Sequence, residues 1–135
     1  MAASSYVFDS WALLAFLEDE PAARRVEELI VQTRDADNAL MVTTVNLGEV
    51  WYSMARARTA ADADLAVEQI GRLGFVFVPA DWELSYQAAL LKSKGKVAYA
   101  DCFAAALAKL RNVAVVTGDP EFKQFEGQVK IHWLK

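Results

Sequence analysis

The sequence predicts a three-layer α/β/α domain built on a mostly parallel five-stranded sheet. Three observations carry that expectation. Short β-rich runs alternate with stretches of helical periodicity from one end of the chain to the other. The run 113–117 is continuously apolar, as a strand covered on both faces reads. No repeat, low-complexity tract or Pro/Gly-rich linker divides the 135 residues, so residues 1–135 read as one domain long enough to bury its own core.

Tyr6-Val7-Phe8 is the first β-rich run; it stops at Asp9, and 10–17 then reads as a helix. Pro21 suits the first position of the next helix, in which Val26, Leu29 and Ile30 recur at helical spacing while Arg24, Arg25, Glu27 and Glu28 face water. A strand at 40–43 leads into helices at 44–58 and 60–73, the second capped by Thr59. Phe75-Val76-Phe77-Val78 is the third strand, closed by Pro79. A helix at 81–92 is separated by the Gly95 break from one at 99–111. The fourth strand at 113–117, a short helix from Asp119-Pro120 and a fifth strand at 129–133 complete the chain. In sheets of this kind ligands bind beyond the carboxyl ends of the strands, which directs attention to Asp9 and Asp119.

Composition narrows the chemistry. A hydrophobic share of 55% with 24% charged residues is that of a soluble globular protein, and no apolar run is long enough to span a bilayer, so no membrane association is expected. Met1-Ala2-Ala3-Ser4-Ser5 lacks the basic start of a signal peptide. Cys102 is the only cysteine, which excludes an internal disulfide and makes the cytoplasm the expected setting. The net charge of −4 argues against a nucleic-acid partner unless the acids are gathered in one cation-filled cleft. The single histidine, His132, falls in an expected edge strand near the C-terminus, a placement that argues against a His-based triad. Neither a Cys/His zinc set nor a Gly-rich phosphate loop is present.

Four acids stand out, and each has an ordinary structural explanation. Asp9 suits a helix N-cap. Asp119-Pro120-Glu121 is a cap, a first-position proline and a first-turn acid. Asn46 and Glu49 fit a capping box, or lie one turn apart on one helix face. Asp101 occupies a first helical turn, where the macrodipole favours a carboxylate. Jointly they say more. Two acids end strands, and two begin helices that can border the same sheet edge. The 99–111 helix is expected to bury Tyr99, Cys102, Phe103, Ala106 and Leu110, while Asp101, Ala105 and Ala108 form a second face of small residues that permits close packing beside the carboxylate. Gly48, next to Glu49, costs roughly 1 kcal/mol in a helix, which suggests a close backbone approach at the site.

Carboxylates about 6 Å apart repel by about 3 kcal/mol per pair at an effective dielectric near 20. Gathering four therefore requires protons or divalent cations. With oxygen donors alone and no imidazole or thiolate, the cations of choice are Mg²⁺ or Mn²⁺. One or two such ions lower the pKa of a bound water and stabilise the leaving oxygen of a phosphodiester.

These pieces resemble the PIN-domain family, and within it the VapC-type toxins of bacterial toxin–antitoxin pairs. The matching segments are Val7-Phe8-Asp9-Ser10 with Ala12-Leu13-Leu14-Ala15-Phe16-Leu17, and Thr43-Thr44-Val45-Asn46-Leu47-Gly48-Glu49-Val50. Tyr99-Ala100-Asp101-Cys102-Phe103-Ala104-Ala105-Ala106-Leu107-Ala108 and Val115-Val116-Thr117-Gly118-Asp119-Pro120-Glu121-Phe122 follow, in the family's order. The resemblance implies a PIN-like fold, metal-dependent endoribonuclease activity on RNA, inhibition by a small cognate VapB-type antitoxin, and a homodimer. It places Asp9, Glu49, Asp101 and Asp119 on the family's acidic catalytic and metal positions, with Asp9 and Asp101 foremost as direct ligands. Asn46 and Thr117 match supporting polar positions. Trp11 departs from the small or hydroxyl residue of many relatives, which alters the mouth of the cleft.

Candidate RNA contacts are Lys92, Lys94 and Lys96, upstream of Asp101, and Arg56, about 10 Å along its helix from Glu49. The ordinary explanations are a solvated loop for the lysines and a helix C-terminal cation for Arg56. Trp11, Phe16, Leu17, Trp51 and Met54 form either core or a groove for an antitoxin helix or a second copy, and apolar helical spacing favours core. Cys102 reads as a small buried hydrophobe. Two other functions fit less well. A phosphoacceptor signalling domain needs paired acids after the first strand and a lysine after a late one, where this chain has Asp9-Ser10 and Thr117-Gly118. A catalytically inactive PIN fold acting only through partner or RNA binding would not need all four acids.

Overall fold

A computed structural model describes residues 4–134. Met1–Ala3, whose composition argued against a signal peptide, lie outside the described residues. The elements follow the order β1 (Tyr6–Phe8), α1 (Ser10–Leu17), α2 (Ala23–Asp35), β2 (Leu40–Thr43), α3 (Thr44–Ala57), α4 (Ala60–Arg72), β3 (Phe75–Val78), α5 (Trp82–Ser93), α6 (Tyr99–Arg111), β4 (Ala114–Thr117), a 3₁₀-helix (Pro120–Phe125) and β5 (Ile131–Trp133). The strands form one five-stranded sheet in the order β3-β2-β1-β4-β5, and every neighbouring pair is parallel. This is the α/β architecture expected from the alternation of strand and helix signals.

Period-two geometry divides the core into two layers. Val7, Met41 and Val115 point to one face and pack with α5, α6 and the 3₁₀-helix. Phe8, Val42 and Val116, each one residue further along its strand, point to the other face and pack with α1 to α4. The Phe8 ring meets Phe75 edge-on at 5.0 Å, joining β1 to the β3 edge across that second layer. α6 is buried along seven consecutive residues, Cys102 to Ala108. Five of its positions are alanine, and that is why a helix so deeply buried can lie close to the sheet.

Polar residues start four of the helices, at the ends of β1 and β2, after β3, and between α3 and α4. Asp9, Thr43, Thr59 and Asp81 are the N-caps of α1, α3, α4 and α5, each accepting from a backbone N–H three residues on. Gly74, at φ +99°, makes the tight turn from α4 into β3. Among the described residues no helix is long and apolar enough to cross a membrane.

Several local expectations need correction. α2 begins at Ala23, and Pro21 lies in the preceding turn because Ala15 and Glu20 carbonyls hold a closed loop there. β5 is shorter than 129–133, since Phe125 accepts from Val129 and draws that residue back to the 3₁₀-helix. Tyr99 and Leu110 are exposed, because the sheet covers the middle of α6 and not its ends. Gly48 meets no close approach. A Cβ built there has no heavy atom within 4 Å, so its helix cost is not explained by packing.

Candidate metal centre

β1, β2 and β4 are neighbours at the middle of the sheet, so their carboxyl ends open on one place. Asp9 leaves the end of β1 with its backbone extended. Its Oδ1 accepts from the Ala12 N–H at 2.8 Å, and the residue is 1% exposed. The capping explanation for Asp9 therefore holds, and so does its placement at the sheet edge. Asp119 follows β4 through Thr117 and Gly118, and caps the 3₁₀-helix by accepting from Glu121 N–H at 3.0 Å. Thr117, fully buried, joins the two acids. Its hydroxyl accepts from Asp119 N–H at 3.0 Å and donates to the Asp9 carboxylate.

Glu49 reaches the same place from α3. Its Oε1 accepts from Ser10 Oγ at 2.9 Å and from Asn46 Nδ2 at 3.2 Å. Asn46 is itself locked: its Oδ1 accepts from Thr43 Oγ1 at 2.6 Å and its backbone N–H donates to the same oxygen at 3.0 Å. Asn46 Nδ2 also donates to the Ala100 carbonyl at 3.0 Å, which ties α3 to the start of α6 one residue before Asp101. Asn46 and Thr117, the two supporting polar residues expected from sequence, are thus both buried connectors of acids.

Asp101, half-buried in the first turn of α6, faces Asp119 and Glu121. Among the described residues these three form a group whose carboxylate oxygens lie within 4.8 Å of one another. Asp9 and Glu49 are outside that group but act on it electrically. Burial pushes the Asp9 carboxyl up to about 8, against the Thr117 and Ala12 hydrogen bonds, with the Asp101 and Asp119 charges adding to the rise. Burial also raises Asp101 to about 7, helped by the charges of Asp119, Glu49 and Glu121. The donor set is oxygen only, half-buried and strongly repulsive, which fits a hard divalent cation.

Sequence reasoning missed Ser10, Thr43 and Glu121. Ser10 and Glu49 are 39 residues apart, and no local spacing reports such a contact. Glu121 carried a signal, as the acid two residues after Asp119, but it was accounted for as a first-turn helix acid.

The basic residues are more dispersed. Lys92 Nζ donates to the Val97 carbonyl at 2.9 Å and so braces the loop before α6. Lys94 and Lys96 are exposed on that loop. Arg56, exposed near the end of α3, lies over the Tyr52 ring at 5.0 Å. Of the apolar residues weighed as a groove, Met54 is buried, Phe16 and Leu17 pack against the second core layer, and Trp51 donates its indole N–H to Asp64 at 2.9 Å. Cys102 is fully buried, as its reading as a small hydrophobe requires.

The sequence matches the family model described as PIN domain over residues 6–128. The chain belongs to the PIN-domain family. A search of curated proteins finds no match. Among solved structures, the PIN fold seen here is similar to VapBC2 from Rickettsia felis bound to a promoter DNA fragment, with TM-score 0.74 and 14% identity over 97% of this chain and 99% of that one. It is also similar to VapC20 of Mycobacterium tuberculosis, a sarcin-ricin loop cleaving toxin, with TM-score 0.72 and 15% identity over 90% of this chain and 95% of the other. DNA-bound VapBC from Salmonella typhimurium has TM-score 0.72 and 17% identity, covering 97% and 98% of the two chains.

Proposed function

We propose that this PIN-family chain is a Mg²⁺- or Mn²⁺-dependent endoribonuclease, the toxin of a VapBC-type pair, working as a single domain in the cytoplasm. The observation that carries the reading is the convergence of acids from four separate elements on the carboxyl edge of the sheet, in a chain of this family. Asp9, Glu49, Asp101 and Asp119 are the catalytic and metal-binding residues in this reading, and Glu121 joins them at the rim. The repulsion among these groups is offset by one or two divalent ions. Once bound, such an ion supplies an activated water and charge stabilisation for phosphodiester hydrolysis.

The chain's own residues do the positioning. Ser10 and Asn46 hold Oε1 of Glu49 from two sides, which fixes the direction in which its second oxygen points. Thr117 keeps Asp9 and Asp119 in register. Asn46 fixes the start of α6 and with it Asp101. Lys94, Lys96 and the loop braced by Lys92 serve as phosphate contacts, with Arg56 further out. A small VapB-type antitoxin and a homodimer complete the proposal, supported by the toxin–antitoxin complexes among the structural neighbours.

The test is cleavage of a total-RNA pool by purified, antitoxin-free protein with Mn²⁺ or Mg²⁺, against EDTA and Asp9→Asn controls, with the new ends sequenced. Metal-dependent cuts that vanish in the variant are the expected result, and their sequences identify the target RNA. A folded protein that makes no cuts would overturn the nuclease reading in favour of a PIN fold acting only by binding.

A further inference from the structure

α6 carries Asp101 in its first turn, yet the start of this helix has no side-chain cap. Its N-cap residue is Ala98, and an alanine side chain offers no acceptor to the first-turn amides. The other end is fastened by Asn112, which is left-handed and donates its N–H to the Ala108 and Lys109 carbonyls. At the open end, two side chains from other helices do the holding. Asn46 of α3 donates to the Ala100 carbonyl at 3.0 Å. Lys92, in the last turn of α5, reaches across the connecting loop and donates its ammonium to the Val97 carbonyl at 2.9 Å. Val97 is buried, and the Cys102 thiol faces the same carbonyl from within α6 at 3.9 Å. A thiol is a weak donor and does not replace an ammonium.

We propose that Lys92 is a positioning residue of the metal centre, setting Asp101 against Asp119 and Glu121 through the Val97 carbonyl. The proposal rests on the reading of those acids as a cation site, and it gives Lys92 a task other than phosphate contact. Asp101 stands four residues after Val97, about one helical turn, so a displaced first turn displaces its carboxylate. A buried carbonyl that loses its donor is costly to leave unpaired, which drives the loop and the helix start to rearrange. Divalent ions register such a movement; Mg²⁺ takes its oxygens at about 2.0–2.1 Å in near-octahedral geometry. The alternative is that Lys92 acts only through its charge, and the two roles differ in sign. A positive charge near the acids opposes a cation, so its loss alone strengthens cation binding. Loss of the tie to Val97 weakens it.

The experiment measures the Kd for Mn²⁺ by calorimetry, without RNA, for the wild type, Lys92→Met, Lys92→Arg and Lys109→Met. Methionine keeps the length of the stem and removes the donor, while arginine keeps a donor and the charge. Lys109, exposed in the last turn of α6, controls for loss of one positive charge. Lys92→Met is expected to bind Mn²⁺ about ten-fold more weakly, the scale of a lost outer-shell partner. Lys92→Arg is expected to keep most of the affinity, and Lys109→Met all of it. In ¹H–¹⁵N spectra of the metal-free proteins, Lys92→Met is expected to shift the amides of residues 98–102. Unchanged or tighter Mn²⁺ binding by a folded Lys92→Met would overturn the proposal. If that variant also bound RNA more weakly, Lys92 would be a phosphate contact and the nuclease reading would stand. A wild type that binds no Mn²⁺ would overturn the metal-centre reading, and displaced amides in Lys92→Met would still uphold Lys92 as the anchor of α6.

Discussion

Replacing Asp9 with asparagine should make the metal-free protein less sensitive to rising pH. Asp9 titrates near 3.8 when exposed and at about 8 in the fold, mainly because burial penalises its charge. Between those values the unfolded chain has released this proton while the folded chain retains it. The folded state then binds more protons, and stability falls as pH rises through the window, until the folded group ionises as well. One such group contributes a slope of at most about 1.4 kcal/mol per pH unit, so at most about 4 kcal/mol between pH 5 and 8. That is a large share of the 5–15 kcal/mol typical of a domain. Asp101, raised to about 7, acts in the same direction, but it is partly exposed and water screens its contribution to a fraction of the Asp9 term. Asparagine keeps the size of the side chain and an oxygen for the Ala12 N–H, yet cannot ionise. Urea unfolding at several pH values between 5 and 8 in EDTA measures the effect. The wild type should lose stability across this range, and Asp9→Asn should lose distinctly less. Saturating Mn²⁺ should reverse the wild-type trend, because a cation favours the ionised carboxylates and adds about 2.7 kcal/mol at a hundred times its Kd. Parallel slopes for the two proteins in EDTA would refute the assignment of the buried charge to Asp9.

Three further outcomes follow from the same geometry. Mg²⁺ or Mn²⁺ should raise the Tm of the wild type in a thermal melt and leave Asp101→Asn unmoved; an equal rise in the variant places the cation elsewhere. Gly118→Ala should cost about 1–3 kcal/mol in chemical denaturation, because the new methyl group meets the Trp11 ring. In a Trp11→Ala background the same change should be close to neutral, and a double-mutant cycle that shows no coupling would separate the two residues. Replacing Lys92, Lys94 and Lys96 together with alanine should weaken RNA binding and flatten its dependence on salt; an unchanged slope removes these lysines from the RNA surface.

The layered fold was legible because its signals are local. Strand runs at Tyr6–Phe8, Leu40–Thr43 and Phe75–Val78 and the helix at Tyr99–Arg111 were bounded by caps, turns and breaks that act within a few residues. The errors lie where distant parts of the chain decide the outcome. Tyr99 and Leu110 have the right helical spacing to be buried, but whether a spacing is covered depends on how far the sheet extends beneath it. The Pro21 error is a local one instead: the Glu20 carbonyl accepts from Ala23 and closes a turn before the helix starts. At the candidate site, Asp9 and Asp119 were found from the rule about strand ends. The hydroxyl of Ser10 was not, because its task is set by a glutamate on another helix.

Capping and metal binding are usually weighed as alternatives for an acid at a strand end, and this site shows why they need not compete. Asp9 spends one oxygen on Ala12 N–H, and Asp119 spends one on Glu121 N–H. A carboxylate has two oxygens and about four acceptor positions, so each retains capacity directed away from its helix. The cap fixes the side chain's rotamer before any cation arrives, and the partial positive charge of the capped helix end partly offsets the repulsion between the acids. What the caps do not offset is the burial of Asp9, which keeps its carboxyl at about 8 despite two hydrogen bonds. A divalent ion resolves that remaining conflict where a helix terminus cannot, because it brings a full charge to the oxygens that the caps leave free.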